Sequence, residues 1–390
     1  MMKRTGFIFL IAACITMCGC AQAQPTDEAV AAGTQESEEP DEEIQPEIYL
    51  KDIYGEHGIK AGTCLSVQMI DDPDMEKLIL EQFNSVTPEN AMKTDYMVSK
   101  EKSIESGELC VELNPDLIRM LDWAKENNMS VRGHNFIWHE QTPDWIFCKD
   151  FDENNEEVDR DEMLRRMEAY ISGVFGQLEE LGYIDLFYAY DVVNEAINDD
   201  GSLRDSKWRS IIGDDYLQYA FCYADKYAPE YIDLYYNDYN EQYKAGATVR
   251  ILSGIVDEEG KCPVDGIGLQ AHLYTLDDLN KYRVALNKLA KSGLKIEVTE
   301  LDVALGSWQT KLDGSDENLK AQGDFYHDYI KMILDMADSG EASVDSVTFW
   351  GFDDELSWKS ETKPLLFTGD LQPKYSFYGA AQTEEAQQNR

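Results

Sequence analysis

What most constrains this chain is an alternation that begins near Ile48 and runs almost to its end: short apolar runs, each followed by a longer stretch with helical spacing. The apolar runs predict strands at Ala61–Ser66, Ser85–Pro88, Ser130–Trp138, Leu186–Asn194, Tyr231–Asn237, Gly266–His272, Lys295–Thr299 and Ser346–Gly351. Between them, apolar residues fall on one face of a helix over Pro115–Asn127, Asp161–Glu180, Asp214–Lys226, Leu276–Ser292 and Ala321–Met336. Several of these stretches begin after Asn, Asp or Thr, whose side chains accept from the free N–H groups of a first helical turn. Eight strands alternating with helices predict an α/β chain folded as a single (β/α)8 TIM barrel over residues 48–382. An open doubly wound sheet is the other arrangement of such elements. It would want a Gly-rich phosphate loop after an early strand, and the sequence has none.

The residues before the barrel read differently. Lys3 and Arg4 precede an apolar run, Phe7 to Met17, which is short of the ~20 residues that span a bilayer. A basic start, a short apolar stretch and then small residues predict an export signal over residues 1–20. Its end, Met17-Cys18-Gly19-Cys20, resembles the lipobox of bacterial lipoproteins, which implies lipidation of Cys20 and anchoring at the cell surface. Ile11-Ala12-Ala13-Cys14 fits the same pattern but leaves a very short apolar region, and an ordinary cleaved signal with release to the medium is the alternative. Residues 21–47 carry nine acids, no base and no aromatic side chain. They cannot bury enough apolar surface to offset chain entropy, so an extended acidic tether is expected.

Charge narrows the partners. With 76 Asp and Glu against 34 Lys and Arg, the net charge of −42 repels nucleic acid and anionic lipid. Membrane contact is expected only through the N-terminal lipid. Of the eight cysteines, Cys64, Cys110, Cys148, Cys222 and Cys262 lie in the body, with no metal-ligand spacing; sequence leaves one or two disulfides open.

The chemistry lies in how the apolar runs end. In a barrel all strand C-termini meet on one face, where such enzymes place their sites. The fourth run closes as Tyr190-Asp191-Val192-Val193-Asn194-Glu195, and the seventh as Ile296-Glu297-Val298-Thr299-Glu300-Leu301-Asp302. A glutamate in an acidic chain is ordinarily a solvated charge. One that ends an apolar run is costly without a role or a partner, which sets Glu195 and Glu300 apart. Two carboxylates on opposite sides of a barrel mouth suit glycoside hydrolysis, one protonating the leaving oxygen while the other stabilises or attacks the anomeric carbon. A gap of ~5–5.5 Å allows a covalent intermediate and retention, and a wider gap inverts.

Several strings, in order, resemble family 10 of the glycoside hydrolases, the endo-β-1,4-xylanases, over roughly residues 50–380. They are Glu89-Asn90 with Lys93; Gly133-His134 with Trp138-His139 and Gln141; Asp191–Ala196; Tyr235–Asn240; Gln270-Ala271-His272; Thr299–Asp302; Trp350-Gly351; Ser357-Trp358; Pro364–Phe367; and Gln372-Pro373. The 105-residue spacing of Glu195 and Glu300 is also similar to the family's. The resemblance implies a retaining double displacement on xylan and xylo-oligosaccharides, with Glu195 as acid/base and Glu300 as nucleophile. It implies that Asn194 bonds the sugar's 2-hydroxyl, and that His272 and Asp302 form the polar shell of the nucleophile. Glu89, Asn90 and Lys93 would hold the next sugar toward the non-reducing end. His134, Gln270, Trp350 and Trp358 would surround the sugar at the cut, with Trp138 and Gln141 also binding substrate. The chain departs from the family's commoner residues at Thr94, Asn135-Phe136 and Tyr190, which leaves subsite preference open.

Each of these residues also has an ordinary structural reading. His272 lies in an apolar run where a hydrogen-bonded core histidine is as common; His134 is expected at the sugar and His139 in the structure. Trp350 and Trp358 flank a polar loop, Asp353-Asp354-Glu355, which favours sugar stacking over core packing, whereas Trp138 fits either. Lys93 is the lone base near Glu89 and Asp95, and Arg204 with Asp205 is expected to brace a loop. No H-x-x-x-H or H-E-x-x-H spacing occurs, so no metal and no cofactor are expected. A monomer is expected. Two rival functions remain: an endo-β-1,4-glucanase of the same clan, and a non-catalytic glycan-binding lipoprotein, which would ordinarily have lost one of the glutamates.

Overall fold

All eight predicted strands form and close on themselves. The computed structural model describes residues 48–383. The expected export signal over 1–20, with Cys20, and the tether over 21–47 lie outside the described residues. The barrel strands are β1 Lys60–Leu65, β2 Ser85–Pro88, β3 Ser130–Ile137, β4 Phe187–Asn194, β5 Asp233–Asp238, β6 Gly266–Leu269, β7 Lys295–Ala304 and β8 Val344–Phe349. Each is parallel to its neighbours, and the sheet closes where β1 pairs with β8 and β6 with β7. One principal helix follows each strand: α1 Pro73–Gln82, α2 Pro115–Glu126, α3 Arg160–Glu180, α4 Tyr216–Tyr227, α5 Glu241–Leu252, α6 Leu279–Ala290, α7 Asp316–Asp338 and α8 Tyr375–Ala380. Side chains of Asp72, Asn114, Asp159 and Asp278 accept from first-turn N–H groups and fix the starts of α1, α2, α3 and α6.

Two strands differ from the pattern in ways that matter to the site. The sixth breaks after Leu269 and resumes over His272–Tyr274, because Ala271 takes a left-handed conformation with φ 54°. The seventh does not stop at Thr299. It runs on to Ala304, pairing Asp302–Ala304 with His272–Tyr274, so that Glu300 and Asp302 stay within a strand although both are charged.

The barrel interior is polar where an apolar filling is usual. Arg132 of β3 forms a bidentate pair with Asp191 of β4 and reaches Glu297 of β7 at 2.6 Å, all three fully buried. Burial pushes Glu297 up to about 7 against the opposing pull of Arg132. Asp191 also accepts from His134 Nδ1 at 2.8 Å, which ties this buried charge group to the barrel mouth.

Among the departures from the family's commoner residues, Thr94, Phe136 and Tyr190 turn out to be one packing unit. Tyr190 stacks on Phe136 with ring centroids 3.9 Å apart, Thr94 Oγ1 donates to the Phe136 carbonyl at 3.0 Å, and Tyr190 lies over Gly133, where a Cβ would run into its ring. The five body cysteines are all free thiols, so neither disulfide left open by the sequence forms. Among the described residues no helix is long and apolar enough to cross a membrane.

Candidate active site

Glu195 is set by a turn at the end of β4. Its φ of 56° is left-handed, its N–H donates to the Asn237 carbonyl at 2.9 Å, and its carbonyl accepts from Arg204 Nε at 2.7 Å. Arg204 therefore braces the backbone, as expected, and also donates to the Tyr239 hydroxyl at 2.7 Å. Asp205 points to solvent and pairs with Arg209 at 2.8 Å. The half-buried Glu195 carboxyl accepts from Trp138 Nε1 and Gln270 Nε2, each at 2.9 Å, and from Asn194 Nδ2 at 3.3 Å. These donors are neutral.

Glu300, only 5 % exposed, sits in a different field. Asn237 Nδ2 donates to Oε1 at 2.7 Å, and His272 Nε2 lies 3.3 Å from Oε2. The other ring nitrogen of His272 bonds Asp302 at 2.8 Å, and Asp302 accepts in turn from Trp358 Nε1 at 2.9 Å and Lys359 Nζ at 3.0 Å. Burial disfavours the His272 charge, but Asp302 outweighs it and carries the imidazole up to about 9. Burial would likewise raise Glu300; the hydrogen bond and charge of His272, with the charge of His134 and the Asn237 amide, bring it down to about 2. One carboxylate is thus held ionised by a cation, and the other is held by neutral donors.

Three amides join the two. Asn194 Oδ1 accepts from Asn237 Nδ2 at 3.0 Å and from Gln270 Nε2 at 3.3 Å, so Gln270, Asn194 and Asn237 link Glu195 to Glu300. Thr299 fixes the Asn237 amide by donating to its oxygen at 2.6 Å, which leaves the amide nitrogen for Glu300. Sequence reasoning noted the string around Asn237 without assigning it a role. The available signal was that β5, like β4 and β7, ends in polar residues.

The predicted substrate-binding residues gather beside this pair. Lys93 Nζ donates to Asn90 Oδ1 at 3.0 Å, Gln141 Nε2 lies 3.5 Å from the same oxygen, and Lys93 stands 5.2 Å from the Trp138 ring centroid. Burial raises the Glu89 carboxyl and lowers Lys93, while each opposes the other's shift. His134, 2 % exposed, meets the Trp350 ring edge-on at 5.4 Å. Trp358 is 59 % exposed and lies 5.0 Å from the His272 ring. His139 packs edge-on against Trp138, with its Nε2 3.7 Å from the Glu140 carboxylate. Among the described residues no His, Cys, Asp and Glu cluster has the arrangement of a metal site.

Residues 49–383 match the model for Glycosyl hydrolase family 10. The chain is 38 % identical over 344 residues to endo-1,4-beta-xylanase B of Butyrivibrio fibrisolvens, which covers 84 % of this chain and 52 % of that protein. It is 35 % identical to endo-1,4-beta-xylanase A of Caldicellulosiruptor saccharolyticus, over 82 % of this chain and 91 % of that one. Thus it spans about half the length of the first relative and nearly all of the second. In structure it is similar to the N-terminal endo-1,4-beta-D-xylanase of Clostridium thermocellum complexed with xylohexaose, with a TM-score of 0.78, 32 % identity, and coverage of 85 % of this chain and 67 % of that one. Barrel, site and sequence agree: this chain belongs to glycosyl hydrolase family 10.

Proposed function

We propose that this chain is a retaining endo-β-1,4-xylanase. The observation that carries the reading is the asymmetry of its two carboxylates: Glu300 held ionised by His272 and Asp302, and Glu195 held by neutral donors, with three amides between them. The relatives named as xylanases and the neighbour bound to xylohexaose support the substrate class.

In this reading Glu300 attacks the anomeric carbon while Glu195 gives its proton to the departing glycosidic oxygen. The Glu300–sugar ester forms as the C–O bond to the leaving chain breaks. Glu195, now a carboxylate, takes a proton from water as the hydroxide attacks the anomeric carbon; the ester bond breaks and Glu300 is restored. Asn194 bonds the 2-hydroxyl in this reading, an interaction that strengthens toward the transition state. Glu89, Asn90 and Lys93 offer donors and acceptors to the next sugar, His134, Gln270, Trp350 and Trp358 surround the sugar at the cut, and Trp138 and Gln141 also bind substrate.

The test is reducing-sugar release from linear xylan and from carboxymethylcellulose, by the wild type and by Glu300→Ala. Release from xylan that the substitution abolishes is the expected outcome. Release mainly from the cellulose derivative would replace the substrate with a glucan, and none from either would favour a glycan-binding protein. The N-terminal sequence supports export with a lipid on Cys20, which would hold the enzyme where its products form near the cell. A Cys20→Ala variant should then move from the cell fraction to the medium; identical partitioning of the two would rule out the anchor.

A further inference from the structure

The two groups that touch the catalytic carboxylates from the break after β6 flank a single strained residue. Gln270 donates to Glu195 and His272 bonds Glu300, and Ala271 between them has φ 54°. A left-handed conformation is unfavourable for a residue with a Cβ, and it persists only where the surroundings hold it. Three hydrogen bonds do so, one of them from the Asp302 N–H to the Ala271 carbonyl at 3.4 Å. The Gln270 N–H donates to the Asp238 carbonyl at 2.9 Å, and the Ala271 N–H donates to Oε1 of Glu241 at 3.3 Å.

Glu241 opens α5 and is 5 % exposed. Its second oxygen accepts from the Tyr282 hydroxyl of α6 at 2.8 Å. Burial pushes its carboxyl up to about 7, against the hydrogen bonds that lower it. A buried carboxyl costs stability unless its contacts compensate, and this one accepts from the Ala271 N–H and the Tyr282 hydroxyl. One turn along the same helix, Lys244 donates to the Ile197 carbonyl at 2.7 Å, two residues after Glu195, and to Asp238 Oδ1 at 2.6 Å. The first turn of α5 thus reaches the backbone just after β4 and the turn that follows β6.

We propose that Glu241 is a positioning residue: by accepting from the Ala271 N–H it fixes the turn that aims Gln270 at Glu195 and His272 at Glu300. The proposal rests on the reading of those two glutamates as the catalytic pair. What matters in it is the reach of an acceptor rather than its charge, and two substitutions separate these. Glu241→Gln keeps length and an acceptor oxygen but no charge. Glu241→Asp keeps the charge but is one carbon shorter, which withdraws the acceptor by about 1.5 Å.

The experiment is kcat and KM on xylohexaose for wild type, Glu241→Gln and Glu241→Asp, with melting temperature and amide hydrogen exchange at Ala271. Glu241→Gln should keep kcat within about threefold, whereas Glu241→Asp should lose roughly 10- to 100-fold in kcat, the scale of an ångström misplacement, with KM within about twofold. The Ala271 amide should stay protected in wild type and Glu241→Gln and exchange faster in Glu241→Asp. The reverse order, Asp active and Gln impaired, would show that charge matters and overturn the proposal. So would two folded variants with unchanged kcat. If the wild type cleaves no xylo-oligosaccharide, the functional reading fails by itself, and the exchange data still decide whether Glu241 holds the turn.

Discussion

Replacing His272 with glutamine probes the electrostatics of the site most sharply. The imidazole is charged through neutrality because Asp302, at 2.8 Å, carries it up to about 9 in spite of burial. Gln has similar reach and one donor but no charge. A Glu300 carboxyl brought from 4.5 to about 2 represents about 3 kcal/mol of preference for the ionised form, at 1.36 kcal/mol for each factor of ten. His272 supplies the first of the favourable contributions, by hydrogen bond and by charge, while burial opposes them. Without it, burial should carry Glu300 back to the ordinary carboxylate range or above it, since an adjacent opposite charge is commonly worth one to three factors of ten. The sign follows from the chemistry: Glu300 attacks as the anion, so activity falls as pH drops through its pKa. In the wild type that fall lies near the bottom of the acid range. In His272→Gln it should move up by about two pH units. The assay is kcat/KM on an aryl β-xylobioside from pH 3 to 8 at constant ionic strength, with circular dichroism at each pH. An acid limb that stays in place in a folded His272→Gln protein would refute the reasoning.

Other substitutions test other parts of the account. Glu195→Ala should lose xylan hydrolysis but keep the first step on an aryl xylobioside whose leaving group needs no proton, and azide should restore its turnover by giving a β-xylobiosyl azide; no azide product would count against the acid/base role. His272 should also shape stability against pH. Its raised pKa contributes stability in full below about 6.5, and that contribution is lost as pH rises through about 9, so denaturant titrations should show the advantage over His272→Gln shrinking by roughly 2–3 kcal/mol across that window. Arg132→Met leaves Asp191 and Glu297 buried without their cation, and should cost roughly 3–5 kcal/mol in urea unfolding. Gly133→Ala drives a methyl group into the Tyr190 ring and should cost roughly 1–3 kcal/mol, most of it recovered when Tyr190 is made smaller in the same chain.

The barrel was legible because its strands are buried on both faces and so read as apolar runs, and its long helices because one face of each is apolar. Glu195 and Glu300 were legible because charge at the end of an apolar run is costly enough to need a reason. What the sequence hid was polar burial. Helix α5 carries Glu241, Lys244 and Thr248 on its buried face, so it shows no apolar stripe although its packing is complete. For the same reason the seventh strand was predicted to stop at Thr299. Glu300 and Asp302 interrupt the apolar run, and only the hydrogen bonds from Asn237, His272, Trp358 and Lys359 show how the strand continues. The break in the sixth strand was hidden as well, since Ala271 is an ordinary strand residue by type and its left-handed turn depends on an acceptor 30 residues away. Asn237 carried no charge to mark it, yet it is the donor that joins Asn194 to Glu300.

The central claim is that Glu300 forms a covalent bond to the sugar. It is tested most directly by incubating the enzyme with an activated 2-deoxy-2-fluoro-β-xylobioside, digesting the protein and locating the added mass. One fluoroxylobiosyl group per chain, on the peptide that contains Glu300, is the predicted result. A label on another residue, or no label from an enzyme whose first product is the α-anomer, would contradict it.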